Sequence, residues 1–151
     1  MIAVSACLVG ICCRYDGGTK LNKGLKTMVD NGEAVAICPE CMAGLSTPRL
    51  PTELQGGDGS AVIDGNADAV QKNGECVTKA FIEGAQAVLA LLKKEGITQC
   101  ILKTKSPSCG CGEIYDGSFT GRCISGDGVT AALLKRSGIE VFPADERLED
   151  G

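Results

Sequence analysis

The sequence predicts an α/β fold: an open, mostly parallel sheet with helices on both faces, plus a β-hairpin and a long loop. Two observations predict it. Short apolar runs alternate with helix-periodic stretches in the order β-α-β-loop-α-β-hairpin-α-β, which implies right-handed crossovers and a sheet covered on both sides. The 151 residues, 44% of them hydrophobic and 23% charged, suit one domain with a proper core, so residues 1–151 are expected to form a single domain.

Each element follows from local signals. Ile2–Ser5 reads as a short buried strand. Asn22 can cap a helix from Lys23 to about Asp30, and Asn31-Gly32 ends it. Ala34–Ile37 is the next strand. Thr78 is a candidate N-cap for the strongest helix, in which Phe81, Ala85, Val88, Leu89 and Leu92 share one face. Lys93 and Lys94 complement its C-terminal dipole, and Gly96 stops it. Ile97–Lys103 is a further strand, and Glu113–Phe119 carries the hairpin signal Asp116-Gly117. Asp127 precedes a helix over Val129–Arg136 that Gly138 ends, and Ile139–Phe142 is the last strand. Ala43–Gly74, rich in Gly, Pro and polar residues, is too long for an idle linker and is expected to fold over the site as a structured loop.

Composition removes several classes of function. The net charge of −4 leaves no surplus of Lys and Arg for binding nucleic acid through phosphates. The cluster Lys20, Lys23 and Lys26 reads as a solvated helix face. With no Trp and 3% aromatics there is no platform on which single-stranded bases could stack. The absence of His excludes Ser–His–Asp and Cys–His catalysis and every imidazole zinc site. Proton transfer then falls to Glu, Asp, Lys, Tyr, Ser or Cys. No run approaches the ~20 apolar residues of a membrane span. Met1–Ala6 lacks the pattern of a signal peptide, so the protein is expected to be cytoplasmic.

Ten cysteines are the strongest signal. Cytosolic thiols stay reduced and a core of this size needs no staples, so metal binding or thiol chemistry is the default. Cys7, Cys12 and Cys13 follow the first strand, Cys38 and Cys41 the second, and Cys109 and Cys111 the strand over residues 97–103. All lie on loops leaving the carboxyl ends of expected parallel strands, where ligands bind in open α/β sheets. Cys100, inside an apolar run, reads as a small buried hydrophobe, Cys76 as part of the turn before the long helix, and Cys123 as part of the loop before Val129–Arg136. Clustered thiolates select zinc, copper(I) or an iron–sulfur cluster. Structural zinc usually takes two regular close pairs. The irregular pairs here, with Pro39 beside Cys38 and a Ser/Gly-rich turn around Cys109, favour a cluster.

Six motifs carry a further reading: Ser5-Ala-Cys-Leu-Val-Gly10, Cys13-Arg-Tyr-Asp-Gly17, Cys38-Pro-Glu40, Thr47-Pro-Arg49, Lys105-Ser-Pro-Ser-Cys-Gly110 and Ile114-Tyr-Asp-Gly117. In order, over about residues 2–143, they resemble a bacterial domain family long labelled as of unknown function, whose characterised members are thiouracil desulfidases. The resemblance implies an α/β fold and a 4Fe–4S cluster bound by three cysteines, here Cys7, Cys38 and Cys109, with one iron left open to a soft thiocarbonyl sulfur. It places the family's acidic and hydroxyl site groups on Glu40 and Ser106. Cys12, Cys13, Cys41 and Cys111 are further thiols near the three, any of which could add a ligand. Arg49, close to Pro48 and Pro51, could clamp a carbonyl or an anion.

The function expected from the resemblance is non-redox desulfidation of thiolated pyrimidines, the partner being a small thiolated nucleobase. Three bland readings stand beside it for the site residues: Glu40 as an acid at a helix N-terminus, Ser106 as a turn residue bonding its own backbone, and Arg49 as a member of a surface ion pair. The competing function is an iron–sulfur or zinc module that senses redox state or delivers sulfur without hydrolytic activity.

Overall fold

The computed structural model describes residues 1–9, 23–45 and 50–144. Four short strands form a parallel sheet: β1 (Ile2–Ser5), β2 (Ala34–Ile37), β5 (Gln99–Leu102) and β8 (Glu140–Pro143), in the order β2-β1-β5-β8. The register pairs Ser5 with Ile37, Val4 with Ile101, and Cys100 with Val141.

Consecutive strand residues face opposite sides, and both sides are covered. Ala3, Cys100 and Leu102 point into a core with Val88 and Leu92 of helix α4 (Thr78–Glu95) and Ala131 and Leu134 of helix α5 (Val129–Arg136). Val4 and Ile101 pack on the other side with Leu25 of α1 (Lys23–Asp30) and with Leu8 and Val9 of a 3-10 turn over Ala6–Val9. This is the expected α/β arrangement with helices on both faces. Among the described residues no helix is long and apolar enough to cross a membrane.

The segment expected as a long loop is instead a small folded unit. Strand β3 (Thr52–Gln55) and strand β4 (Asp68–Gln71) pair antiparallel around the short helix α3 (Gly59–Ile63), which Asp58 caps through a bond from the Ala61 N–H at 3.1 Å. Leu54, Val62 and Ala69 of this unit pack on Phe81 and Ala85, near the start of α4, and on Val129. The long helix therefore serves two cores: its first turns cover this unit and its later turns cover the parallel sheet. The polar composition of the segment reflects its many turns, and a few well-placed apolar residues suffice because α4 supplies the rest of the core.

Three smaller expectations need correction. Val77, not Thr78, is the N-cap of α4 and offers no side-chain bond. The Thr78 hydroxyl instead accepts from the Ala69 N–H at 3.0 Å and donates to Asp68 at 2.9 Å, tying β4 to the helix. The hairpin is wider than Asp116-Gly117 predicts: β6 (Glu113–Tyr115) pairs with β7 (Cys123–Ser125), and Cys123 is a strand residue rather than part of a loop. The strand expected over residues 97–103 covers only Gln99–Leu102. Asn22, Lys20 and the motif Cys13-Arg-Tyr-Asp-Gly17 lie outside the described residues. Gly96 ends α4 as expected, with φ of 69°.

Candidate metal centre and substrate site

In the strand order β2-β1-β5-β8, the chain runs outward from β1 to β2 and then crosses back to β5 on the other side of β1. Such a switch point opens a crevice between the carboxyl ends of neighbouring strands. The candidate cysteines lie on the segments that follow these strand ends. Cys7 sits in the 3-10 turn directly after β1, Cys38 follows β2 by one residue, and Cys109 lies in the loop after β5. Since β2, β1 and β5 are adjacent, their ends are spaced by about 5 Å per strand. The Ser5 hydroxyl fastens two of them, accepting the Lys103 N–H at 3.1 Å across the switch point.

Cys38 is the N-cap of the short helix α2 (Pro39–Met42), and its sulfur accepts the Cys41 N–H at 3.5 Å. An N–H aimed at the sulfur favours the thiolate form that a metal ligand needs. Pro39 fits the first helical position, where no backbone donor is required. Glu40, half-buried, lies in the first turn of the same helix, next to Pro39 and two residues from Cys38. Helix α4 holds α2 in place through Gly84, where a Cβ would lie 2.3 Å from the Pro39 carbonyl oxygen.

The Cys109 loop is buried and fully braced. The Ser106 hydroxyl, 7% exposed, accepts the N–H groups of Ser108 and Cys109, each at 3.1 Å. The first N–H groups of α5, which have no partner inside the helix, are spent on this loop. Val129 donates to the Pro107 carbonyl at 2.9 Å and Thr130 to the Ser108 carbonyl at 2.9 Å. The Ser108 and Thr130 hydroxyls meet at 2.8 Å in a fully buried contact. Asp127 adds a bond from the Gly112 N–H at 2.8 Å and an ion pair with Lys135 at 3.0 Å.

Two of the additional thiols can be placed. Cys41 is exposed on α2. Cys111 is buried, with its sulfur 3.8 Å from the Val141 carbonyl on β8. Cys12, Cys13 and Arg49 lie outside the described residues. Cys100 is completely buried between strands, as expected, and desolvation pushes its thiol pKa up to about 12. Cys76 and Cys123 are thiols away from the switch point, on the turn before α4 and on β7.

Sequence reasoning missed Glu53. This carboxylate is 8% exposed, and one of its oxygens accepts the Gly117 and Phe119 N–H groups at 2.9 and 3.1 Å, fixing the turn between β6 and β7 against β3. Its only sequence signal is an acid inside a stretch otherwise read as loop.

Comparison with known proteins places the chain in a family. The family model described as 2-thiouracil desulfurase matches residues 2–146. An uncharacterized protein, YbbK of Bacillus subtilis (strain 168), is 48% identical over 146 residues, covering 97% of each chain. The solved structure of the [4Fe-4S]-dependent thiouracil desulfidase TudS superposes with a TM-score of 0.85 at 43% identity, over 98% of this chain and 93% of that one. With cysteines following three adjacent strands of the parallel sheet and a family model spanning nearly the whole length, the chain belongs to the 2-thiouracil desulfurase family.

Proposed function

We propose that this chain is a thiouracil desulfidase that replaces the sulfur of a thiolated pyrimidine by oxygen, water being consumed and hydrosulfide released with no net electron transfer. The observation that carries the reading is the placement of Cys7, Cys38 and Cys109 after three adjacent strands at the switch point, in a chain 43% identical to a [4Fe-4S]-dependent thiouracil desulfidase. The donor set fits a 4Fe–4S cluster: soft sulfur ligands from separate loops, one of them with an N–H directed at its sulfur. When bound by three thiolates, such a cluster supplies an iron with an open position, a Lewis acid for thiocarbonyl sulfur.

The chain's own groups handle protons and orientation. Glu40, beside Cys38, takes a proton from the attacking water and returns one to the departing sulfur. Ser106 has a narrower role than a general relay. Its oxygen already accepts two N–H bonds, so it is a poor base, but it keeps its own proton to donate to the substrate. Arg49 is proposed to hold a carbonyl or anionic group of the substrate. The setting is the cytoplasm, where the thiols stay reduced.

The test is anaerobic reconstitution, counting of iron and sulfide, and assay of sulfide and uracil formed from 2-thiouracil. Stoichiometric release of both products is expected. A protein that carries a full cluster and releases neither would refute the enzyme and favour a sensor or sulfur-delivery module.

A further inference from the structure

Cys41 has no task in the reading above, yet the chain holds it beside Cys38. The Cys38 carbonyl accepts the Met42 N–H at 3.0 Å, which closes one helical turn around Pro39, Glu40 and Cys41. Residues three apart in such a turn have Cβ atoms about 5–6 Å from each other. A disulfide needs about 3.8 Å. Cys38 shortens the gap: as the N-cap it has an extended backbone, φ −141° and ψ 102°, and its side chain folds back until the sulfur lies 3.5 Å from the Cys41 nitrogen. A side-chain rotation at Cys41 and a small shift at the non-helical Cys38 are all that an S–S bond then requires. Helix α4 keeps the turn in place where Gly84 meets the Pro39 carbonyl, so the pairing depends on packing of the chain itself. Access differs among the thiols. Cys41 is exposed and Cys38 half-buried, whereas Cys109 and Cys111 are each 5% exposed. A dissolved oxidant therefore reaches the first pair and not the second.

We propose that Cys38 and Cys41 form a reversible disulfide by exchange with small-molecule disulfides of the glutathione type, and that Cys41 serves this exchange and does not hold iron. The exposed Cys41 sulfur attacks one sulfur of the partner disulfide, releasing one thiol and leaving a mixed disulfide. The Cys38 sulfur then attacks the Cys41 sulfur and displaces the second thiol. Two electrons and two protons pass from the cysteines to the partner, which leaves as two thiols, and two thiols of a reductant reverse the reaction. The consequence rests on the cluster reading of the proposed function: the oxidised chain lacks one of its three ligands, so iron loading is switched off until the bond is reduced.

The experiment uses the full chain, stripped of iron with a chelator and incubated anaerobically with oxidised glutathione. The sample is quenched in acid, alkylated with N-ethylmaleimide and digested with trypsin. Thr27–Arg49 is one tryptic peptide, and Cys38 and Cys41 are its only cysteines. An internal disulfide therefore reads as this peptide unalkylated and lighter by two hydrogens. That form is expected to exceed the glutathione-linked forms by about tenfold or more, because the second exchange is intramolecular. In thiol-free reconstitution the oxidised chain should take up iron about tenfold more slowly than the reduced one, and dithiothreitol should restore both peptide and uptake. Reduced Cys41→Ser should load iron at the wild-type rate. A peptide recovered with both cysteines alkylated, with glutathione on each, or with Cys38 linked to another peptide would overturn the pairing. Loss of iron loading in reduced Cys41→Ser would also overturn it, making Cys41 a ligand. Iron uptake within twofold of the reduced chain despite a complete disulfide would overturn the switch. A disulfide that forms and reverses in a chain that takes up no iron in either state would instead overturn the cluster and keep the pairing.

Discussion

Ser106→Ala separates the two jobs that one hydroxyl is assigned. In the structure its oxygen accepts from two N–H groups, Ser108 and Cys109, both in a buried loop. Removing it leaves two buried donors without that acceptor, at roughly 1–3 kcal/mol each before relaxation or an entering water offsets part of it. A net loss of about 2–3 kcal/mol is expected, which in a chain of this length corresponds to a fall in Tm on the order of 5–10 °C. If the hydroxyl also donates to the substrate, desulfidation per bound cluster should fall by about 10² or more.

The necessary control is Ser108→Ala, which removes the buried 2.8 Å contact with Thr130 and loosens the same loop without touching the proposed donor. Both variants are reconstituted anaerobically, assayed well below their Tm, and compared as activity per iron. Ser106→Ala is expected to lose activity per iron, whereas Ser108→Ala loses only stability. Equal activity per iron in the two would reduce Ser106 to a brace for Cys109. An unchanged Tm in Ser106→Ala would refute the bracing argument itself.

Three further outcomes follow from the same geometry. Glu40→Gln should hold a full complement of iron but desulfidate 10²- to 10⁴-fold more slowly, on the order expected for lost acid–base catalysis, whereas its neighbour Cys38→Ala should lose iron; anaerobic iron counts and sulfide release on both variants decide it. Gly128→Ala would put a Cβ 2.4 Å from the Ser108 carbonyl oxygen, a contact with backbone that cannot swing aside, so the Cys109 loop should be displaced, Tm should fall and iron retention should drop even with every cysteine present. Cys100, completely buried and with its pKa pushed up to about 12, should resist alkylation at pH 8 in the native protein while exposed Cys76 reacts; Cys100→Ala should keep its iron, and loss as complete as in Cys7→Ala would make it a ligand.

What could be read from the sequence depended on how local the determining interaction is. The four parallel strands and the helices α1, α4 and α5 were legible because apolar periodicity and stop signals such as Gly96 act within a few residues. The placement of Cys38 and Cys109 was legible for the same reason: each lies shortly after a recognisable strand, and alternation of strands with helices sends those ends to one edge. The β3-α3-β4 unit was not. Its strands are four residues each, and their apolar partners, Phe81, Ala85 and Val129, come from helices far along the chain. Thr78 shows the same limit: its residue type predicts a cap, and tertiary contact with Asp68 and Ala69 claims the hydroxyl instead.

The candidate site depends on these distant contacts more than the fold does. The loops carrying Cys38 and Cys109 have little regular structure, so their own sequences cannot hold sulfur atoms in fixed positions. Helices supply the rigidity from outside. Gly84 lets α4 approach the Pro39 carbonyl directly, and Gly128 lets α5 approach the Ser108 carbonyl, each at a distance that any side chain would forbid. The start of α5 then spends its unpaired N–H groups on the Cys109 loop, so helix and loop complete each other's hydrogen bonding. Substitutions at these glycines, remote in sequence from the cysteines they position, should therefore weaken cluster retention more than substitutions at exposed Cys41, which sits on α2 but supports neither contact.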